Sequence, residues 1–246
     1  MSDLPIRVPR GFRIIAHRGA SGYAPENTLA AFRLAESMGV REIEFDLQLT
    51  RDGEMVVVHD AVLDRYGYPG CRVAEMALAD LKRLDMAAWF GDQKYRDERM
   101  MTAAELFEAF GRRFTYHAEI KAPSRVLARD LAGCLGRRGL ADVAVVTSFD
   151  FDSLVAFREF APDQPVGWLV REGGFTAENV GRAADAGFSQ FCPRASDVTE
   201  ANVTAAKERV REVRAHGIKT RQDAERAVRA GCDGMTINWP DWLAAG

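Results

Sequence analysis

Cysteine is scarce in this sequence. The four cysteines, Cys71, Cys134, Cys192 and Cys232, lie far apart and form no Cys-x-x-Cys pair. That spacing argues against a zinc site or a disulfide framework, and reduced thiols fit a cytoplasmic protein. A charge excess of one sign is also missing. The 33 basic residues meet 36 acidic ones, for a net charge of −3. Such a balance gives no general attraction to nucleic acid or to an anionic membrane. Apolar runs stop at a few residues, such as Met55-Val56-Val57-Val58, far short of the roughly 20 needed to cross a bilayer. The first ten residues hold no apolar core of signal-peptide length. These absences point to a cytoplasmic chain with no nucleic-acid partner and no stable membrane insertion. They say nothing about oligomeric state.

What is present is the composition of a globular enzyme-sized chain. Its 246 residues are 47% hydrophobic and 28% charged, which excludes a disordered or fibrous protein. The pattern alternates short β-branched runs with amphipathic stretches. Strands are expected over 13–18, 42–49, 114–121, 142–149, 165–170, 188–192, 213–219 and 234–238. Helices are expected over 26–38, 102–111, 123–138, 150–160, 176–186, 200–211 and 221–230. The run 54–59 follows a turn at Arg51-Asp52-Gly53 and reads as the second arm of a hairpin. Eight strands separated by helices in about 250 residues is the arithmetic of an α/β protein of the (β/α)8 TIM-barrel class. A doubly wound open sheet is the alternative, but no Gly-x-Gly-x-x-Gly follows the first strand. The expected organisation is a single domain, 1–246. A small insertion after the second strand, 61–101, would lie on the rim where such barrels carry their chemistry.

The reactive residues fall in a pattern. His17, His59, His117 and His216, the only histidines, each lie in or at the end of an expected strand. Glu44 and Asp46 are two apart on one strand, so their side chains leave the same face. Glu119 and Lys121 repeat that spacing on the next barrel strand. Neighbouring strands lie about 5 Å apart, so three carboxylates converge and need a compensating cation. An all-oxygen set suits Mg²⁺, Ca²⁺ or Mn²⁺ rather than Zn²⁺. The competing reading places these acids on an exposed strand face, paired with arginines. His117 shares a face with Glu119 one layer deeper and reads as a supporting residue.

The segment His17-Arg18-Gly19-Ala20 through Pro25-Glu26-Asn27-Thr28 combines a tight glycine turn with an arginine fork suited to phosphate. It resembles the opening signature of the glycerophosphodiester phosphodiesterase family. Glu42-Ile43-Glu44-Phe45-Asp46 with Val57-Val58-His59-Asp60 resembles the second signature, and Ala118-Glu119-Ile120-Lys121 the third. Weaker similarity runs through Thr147-Ser148-Phe149 to Gly231-Cys232-Asp233-Gly234. The resemblance spans nearly the whole chain, in order. It implies a TIM barrel with a rim insertion and one divalent cation on Glu44, Asp46 and Glu119. It implies His17 and His59 as the acid–base pair, Arg18 and Lys121 near the phosphate, and Asn27 positioning the substrate. The implied reaction is hydrolysis of a small-molecule glycerophosphodiester to glycerol 3-phosphate and an alcohol.

The chain also departs from the pattern. His216-Gly217-Ile218-Lys219 stands where a Trp-Thr-Val-Asn-like stretch is common. If His216 and Lys219 both face the pocket, the substrate site is more basic than usual. Asn238-Trp239-Pro240 replaces a common Asp-x-Pro, and Tyr66 and Tyr68 replace Thr- and Gly-rich residues on the rim. Trp89 reads as packing or as an apolar lip for a lipid-like group. Asp60 reads either as an orienter of His59 or as a cap of the following turn. Three other functions compete: a lysophospholipase D-like activity on single-chain lipids, a non-catalytic phosphate-ester binder, and a proton-abstracting barrel enzyme using Lys219 or His216. Which histidine is acid and which base stays open here, as does the nucleophile.

Overall fold

Residues 42–49 alternate acid or amide with apolar side chains, and that alternation fixes the inside and the outside of the fold. The computed structural model describes residues 4–245. The chain runs β1 (Ile6–Val8), β2 (Arg13–His17), α1 (Leu29–Ser37), β3 (Glu42–Leu49) and β4 (Met55–Val57). Then come α2 (Leu78–Leu81), β5 (Met101–Thr102), α3 (Ala103–Phe110), β6 (Thr115–Ile120), α4 (Arg125–Arg137), β7 (Ala144–Ser148) and α5 (Phe151–Phe160). The last third is β8 (Val166–Leu169), α6 (Ala177–Asp185), β9 (Gln190–Cys192), α7 (Glu200–Lys207), β10 (Glu212–Ala215), α8 (Arg221–Arg229), β11 (Gly234–Ile237) and β12 (Leu243–Ala245).

Strands β2, β3, β6, β7, β8, β9, β10 and β11 pair in that order, all parallel, and β11 returns to β2. The sheet is a closed barrel, so the open-sheet alternative falls. On β3, Ile43, Phe45 and Leu47 are buried on the outer, helix-packed face. Phe45 packs edge-on against Phe107 of α3 and Tyr116 of β6. The acids of β3 face the barrel interior. Glu44 and Asp46 are fully buried, which overturns the exposed-acid reading.

The barrel's N-terminal end is closed by an ionic layer. Arg13 donates to both oxygens of Glu42 at 2.9 Å and to Glu212 at 2.7 Å. Glu42 also meets His117 Nε2 at 2.8 Å. His117 is therefore a buried partner of Glu42 beneath the site.

The hairpin reading of 42–59 holds. Strand β4 pairs antiparallel with β3, and β5 with β4. The connecting residues up to 101 fold into short turns and α2 over a small core of their own, which includes Leu63, Tyr66, Val73, Leu81 and Met86. One long-range feature had no sequence signal: β1 pairs in parallel with β12, bringing the two ends of the described chain together.

Helix α1 starts three residues later than its periodicity predicts. Asn27 adopts a left-handed backbone with φ +58°, a conformation asparagine tolerates. Thr28 then caps the helix by accepting from the Ala31 amide. Among the described residues, no helix is long and apolar enough to cross a membrane.

Candidate active site

The site begins where β2 ends. After His17 the chain takes two left-handed residues in succession, Arg18 (φ +57°) and Gly19 (φ +81°). A Cβ on Gly19 would lie 2.6 Å from the Ala31 carbonyl carbon, and one on Gly22 would lie 2.2 Å from the Trp239 indole nitrogen. Both glycines let the loop turn back against the barrel mouth. Trp239 itself stacks on Trp242, so these tryptophans are packing. The turn points the Arg18 guanidinium inward. Its Nη1 donates to Glu26 Oε2 at 2.9 Å, and its Nε lies 3.0 Å from Asp46 Oδ2. A non-glycine residue held in this region stores strain, which is typical of functional loops.

Strand register brings the carboxylates together. His17 pairs with Glu44 across β2 and β3, and Asp46 pairs with Glu119 across β3 and β6. Glu44, Asp46 and Glu119 are 3%, 0% and 5% exposed. Each offers an oxygen, and these oxygens lie within 4.8 Å of one another. Three buried negative charges at that separation are not stable alone. Burial, then Asp46 and Glu119, push Glu44 well above the usual carboxylate range. Burial and Asp46 push Glu119 up as well. Asp46 goes the other way: burial opposes its charge, but Arg18 and Lys121 outweigh burial and keep it ionised. Lys121 Nζ lies 2.8 Å from Glu119 Oε1 and 3.4 Å from Asp46 Oδ1. Asp46 Oδ1 nonetheless accepts no hydrogen bond. A divalent cation fits this donor set: the ligands are oxygens, one is left over, and the cation would relieve the repulsion.

Two histidines bracket the cluster, each gripped at Nδ1. His17 Nδ1 meets Asn238 Oδ1 at 2.6 Å, and His17 Nε2 lies 3.8 Å from Glu44 Oε2. An amide oxygen only accepts, so the proton sits on His17 Nδ1 and the lone pair on Nε2. Burial and Arg18 pull His17 down to about 3. His59 Nδ1 meets Asp60 Oδ1 at 2.6 Å, and Arg65 Nε holds the other Asp60 oxygen at 2.8 Å. Asp60 thus faces His59 instead of capping a turn. Burial lowers His59 too.

These groups line a pocket of about 190 Å³ at the C-terminal mouth of the barrel. His17, Arg18, Glu44, His59, Glu119, Lys121 and His216 all contribute to its wall. Asn27 does not. Its Nδ2 donates to Asp46 Oδ2 at 2.8 Å and its Oδ1 takes the Asp46 backbone N–H at 3.5 Å. The left-handed turn at Asn27 folds its amide against β3, where it holds Asp46.

His216 lines the pocket but adds no charge. Its Nε2 donates to the Val170 carbonyl at 2.9 Å, and burial pulls it down to about 4. Lys219 is exposed and lies beyond β10. The extra positive charge expected from these two positions comes instead from Arg194 and Arg214, which also line the pocket. Arg214 alternates with Val213 and Ala215 on β10 and shares the inward face of His216. Glu26 of the opening motif is a buried carboxylate with no separate signal in the sequence. It accepts from Arg18, from Arg65 and from the Tyr66 hydroxyl. Tyr66 is thus buried in the rim. Trp89 packs edge-on against Tyr66 and Phe90 and donates its indole N–H to the Met86 carbonyl.

A closed parallel barrel, with two histidines and a buried acid triad at its C-terminal mouth, has the arrangement of a TIM-barrel enzyme with acid–base groups on its active-site face. The glycerophosphoryl diester phosphodiesterase family model matches residues 17–242, and the chain belongs to that family of phosphoric diester hydrolases. It is 30% identical over 234 residues to a glycerophosphodiester phosphodiesterase of Caldanaerobacter subterraneus subsp. tengcongensis, covering 94% of this chain and 95% of the relative. It is 29% identical over 249 residues to one of Bacillus subtilis, covering 92% and 83%. An Oleispira antarctica phosphodiesterase, solved in complex with the product sn-glycerol-3-phosphate, superposes with a TM-score of 0.84 at 28% identity, covering 93% of this chain and 94% of that one.

Proposed function

We propose that this protein hydrolyses glycerophosphodiesters to glycerol 3-phosphate and an alcohol, with His17 and His59 as the acid–base pair. The observation that carries this reading is the convergence of two Nδ1-anchored histidines on one buried carboxylate cluster. Mere binding of a phosphate ester needs no such pair, so the non-catalytic alternative has no support in the geometry. Glu44, Asp46 and Glu119 would hold a divalent cation, Mg²⁺ or Ca²⁺ (Mn²⁺ fits the same donors). When bound, that ion supplies positive charge to offset the charge developing on the phosphate. Arg18 and Lys121 add fixed positive charge at the same place, and Asn27 keeps Asp46 in position.

The two histidines differ in what stands behind them. His17 backs onto a neutral amide and His59 onto a carboxylate. A carboxylate favours an imidazolium, and an amide does not. His17 is therefore the base that takes a proton from the nucleophile at Nε2, and His59 is the acid that protonates the departing alcohol. The bond broken is the P–O bond to that alcohol.

Two rival readings lose ground. A single-chain lipid would want an apolar groove, and the apolar side chains at the pocket are limited to Phe149 and Leu169. Proton abstraction would want a base on a late strand, but Lys219 is away from the pocket and His216 Nε2 is occupied. In this reading the chain acts as one catalytic domain with 61–101 as its rim. Four free cysteines support the cytoplasmic assignment.

The test is release of glycerol 3-phosphate from glycerophosphocholine with Mg²⁺ or Ca²⁺. His17→Ala and His59→Ala should each lose about 10²-fold or more. Undiminished release from both variants contradicts the reading.

A further inference from the structure

The pocket has two walls of different character. Strands β3 and β6 carry the acid cluster. Strands β9 and β10, opposite them in the barrel order, carry Arg194 just beyond β9 and Arg214 within β10. The cations of the first wall all have carboxylates: Arg18 pairs with Glu26 and Asp46, and Lys121 with Glu119. Arg13, at the other end of the barrel, pairs with Glu42 and Glu212. Arg214 has none. It is 1% exposed. One terminal nitrogen donates to the Thr236 hydroxyl and the other lies 3.4 Å from the Cys192 sulfur. Its Nε is buried without a partner.

A buried guanidinium facing only neutral groups is costly unless an anion completes it. Arg194 lines the same pocket, and its Nε reaches only the exposed Glu172 on the rim, at 3.7 Å. A glycerol end with two hydroxyls supplies no counter-charge for this wall. We propose that Arg214 and Arg194 form a second anion subsite, so that beside simple glycerophosphodiesters the pocket accepts diesters whose pocket-bound half carries a carboxylate or a second phosphate. This inference rests on the phosphodiesterase reading and extends its substrates to doubly anionic diesters. The planar fork of Arg214 suits either group.

The test compares three product-like ligands by calorimetry in Mg²⁺: sn-glycerol 3-phosphate, 3-phosphoglycerate and glycerol 1,3-bisphosphate. The wild type should bind 3-phosphoglycerate or the bisphosphate about tenfold tighter than glycerol 3-phosphate, and whichever of the two wins names the second anion. Arg214→Met should erase that preference and bring the three affinities to within about twofold of one another. Arg194→Gln, on the half-exposed rim, should reduce the preference and serves if Arg214→Met does not fold. No preference in the wild type, no binding of any of the three, or an equal loss for all three in the variants overturns the proposal. An intact preference in a protein that hydrolyses no diester upholds the subsite and overturns only the reaction.

Discussion

Asn238 Oδ1 lies 2.6 Å from Nδ1 of His17, so the ring that faces Glu44 is held by a neutral amide and not by an acid. This contact sets both the tautomer and the basicity of His17. Asn238→Asp would place a carboxylate behind His17 and favour its protonated form. In its proposed role as the base His17 must be unprotonated, so the acid limb of the kcat/KM profile should move to higher pH. A profile superposable on the wild type would remove Asn238 from the catalytic arrangement.

Asp60 plays the opposite part behind His59. Its carboxylate accepts from both His59 and Arg65. Asp60→Asn would offer an N–H where a lone pair is needed and turn His59 into the wrong tautomer. The expected cost is about 10²–10³ in kcat with little change in KM. A kcat within about twofold of wild type would show that His59 does not depend on Asp60.

The rim is tied to the barrel through Glu26. This buried carboxylate holds Arg18 of the loop and Arg65 of the insertion at once. Burial opposes its charge, but Arg65 and Arg18 outweigh burial and keep it ionised. Glu26→Gln leaves two cations with a neutral partner and should cost about 2–4 kcal/mol in urea unfolding. Limited proteolysis should then cut first within 61–101. Wild-type resistance in that segment would show the rim to be held by its own core alone.

Acid stability has a readable contribution from His216. Burial pulls it from 6.5 down to about 4, with Arg214 and Arg194 opposing its protonation and Asp197 favouring it. The unfolded chain takes up this proton near 6.5 and the folded chain only near 4. Between those values the unfolded state binds more protons, so stability falls as pH drops. His216→Gln cannot titrate and should remove up to about 1.4 kcal/mol per pH unit of that slope. Denaturant midpoints at several pH values between 4 and 6.5 measure it directly.

The legible parts of this fold were those with a local period. The alternation of 42–49 gave the inner acids and the outer Ile43, Phe45 and Leu47 without further help. The same alternation carried Arg214, whose importance was hidden because one arginine on a strand has no meaning until its partners are known. Glu26 was hidden for the same reason: Arg65 lies 39 residues away. Asn27 was legible as a site residue but not as a ligand of Asp46, since a left-handed turn leaves no pattern in sequence. The pairing of β1 with β12 joins segments more than 230 residues apart, where no local signal exists.

The proposed phosphodiester hydrolysis requires a divalent cation on Glu44, Asp46 and Glu119. It is tested most directly by stripping the protein with chelator, removing the chelator, and following glycerol 3-phosphate release from glycerophosphocholine as Mg²⁺ or Ca²⁺ is returned. We expect no release from the stripped protein, recovery on adding one of these ions, and no recovery in Asp46→Asn. Full release from the stripped protein, or full recovery in that variant, would contradict it.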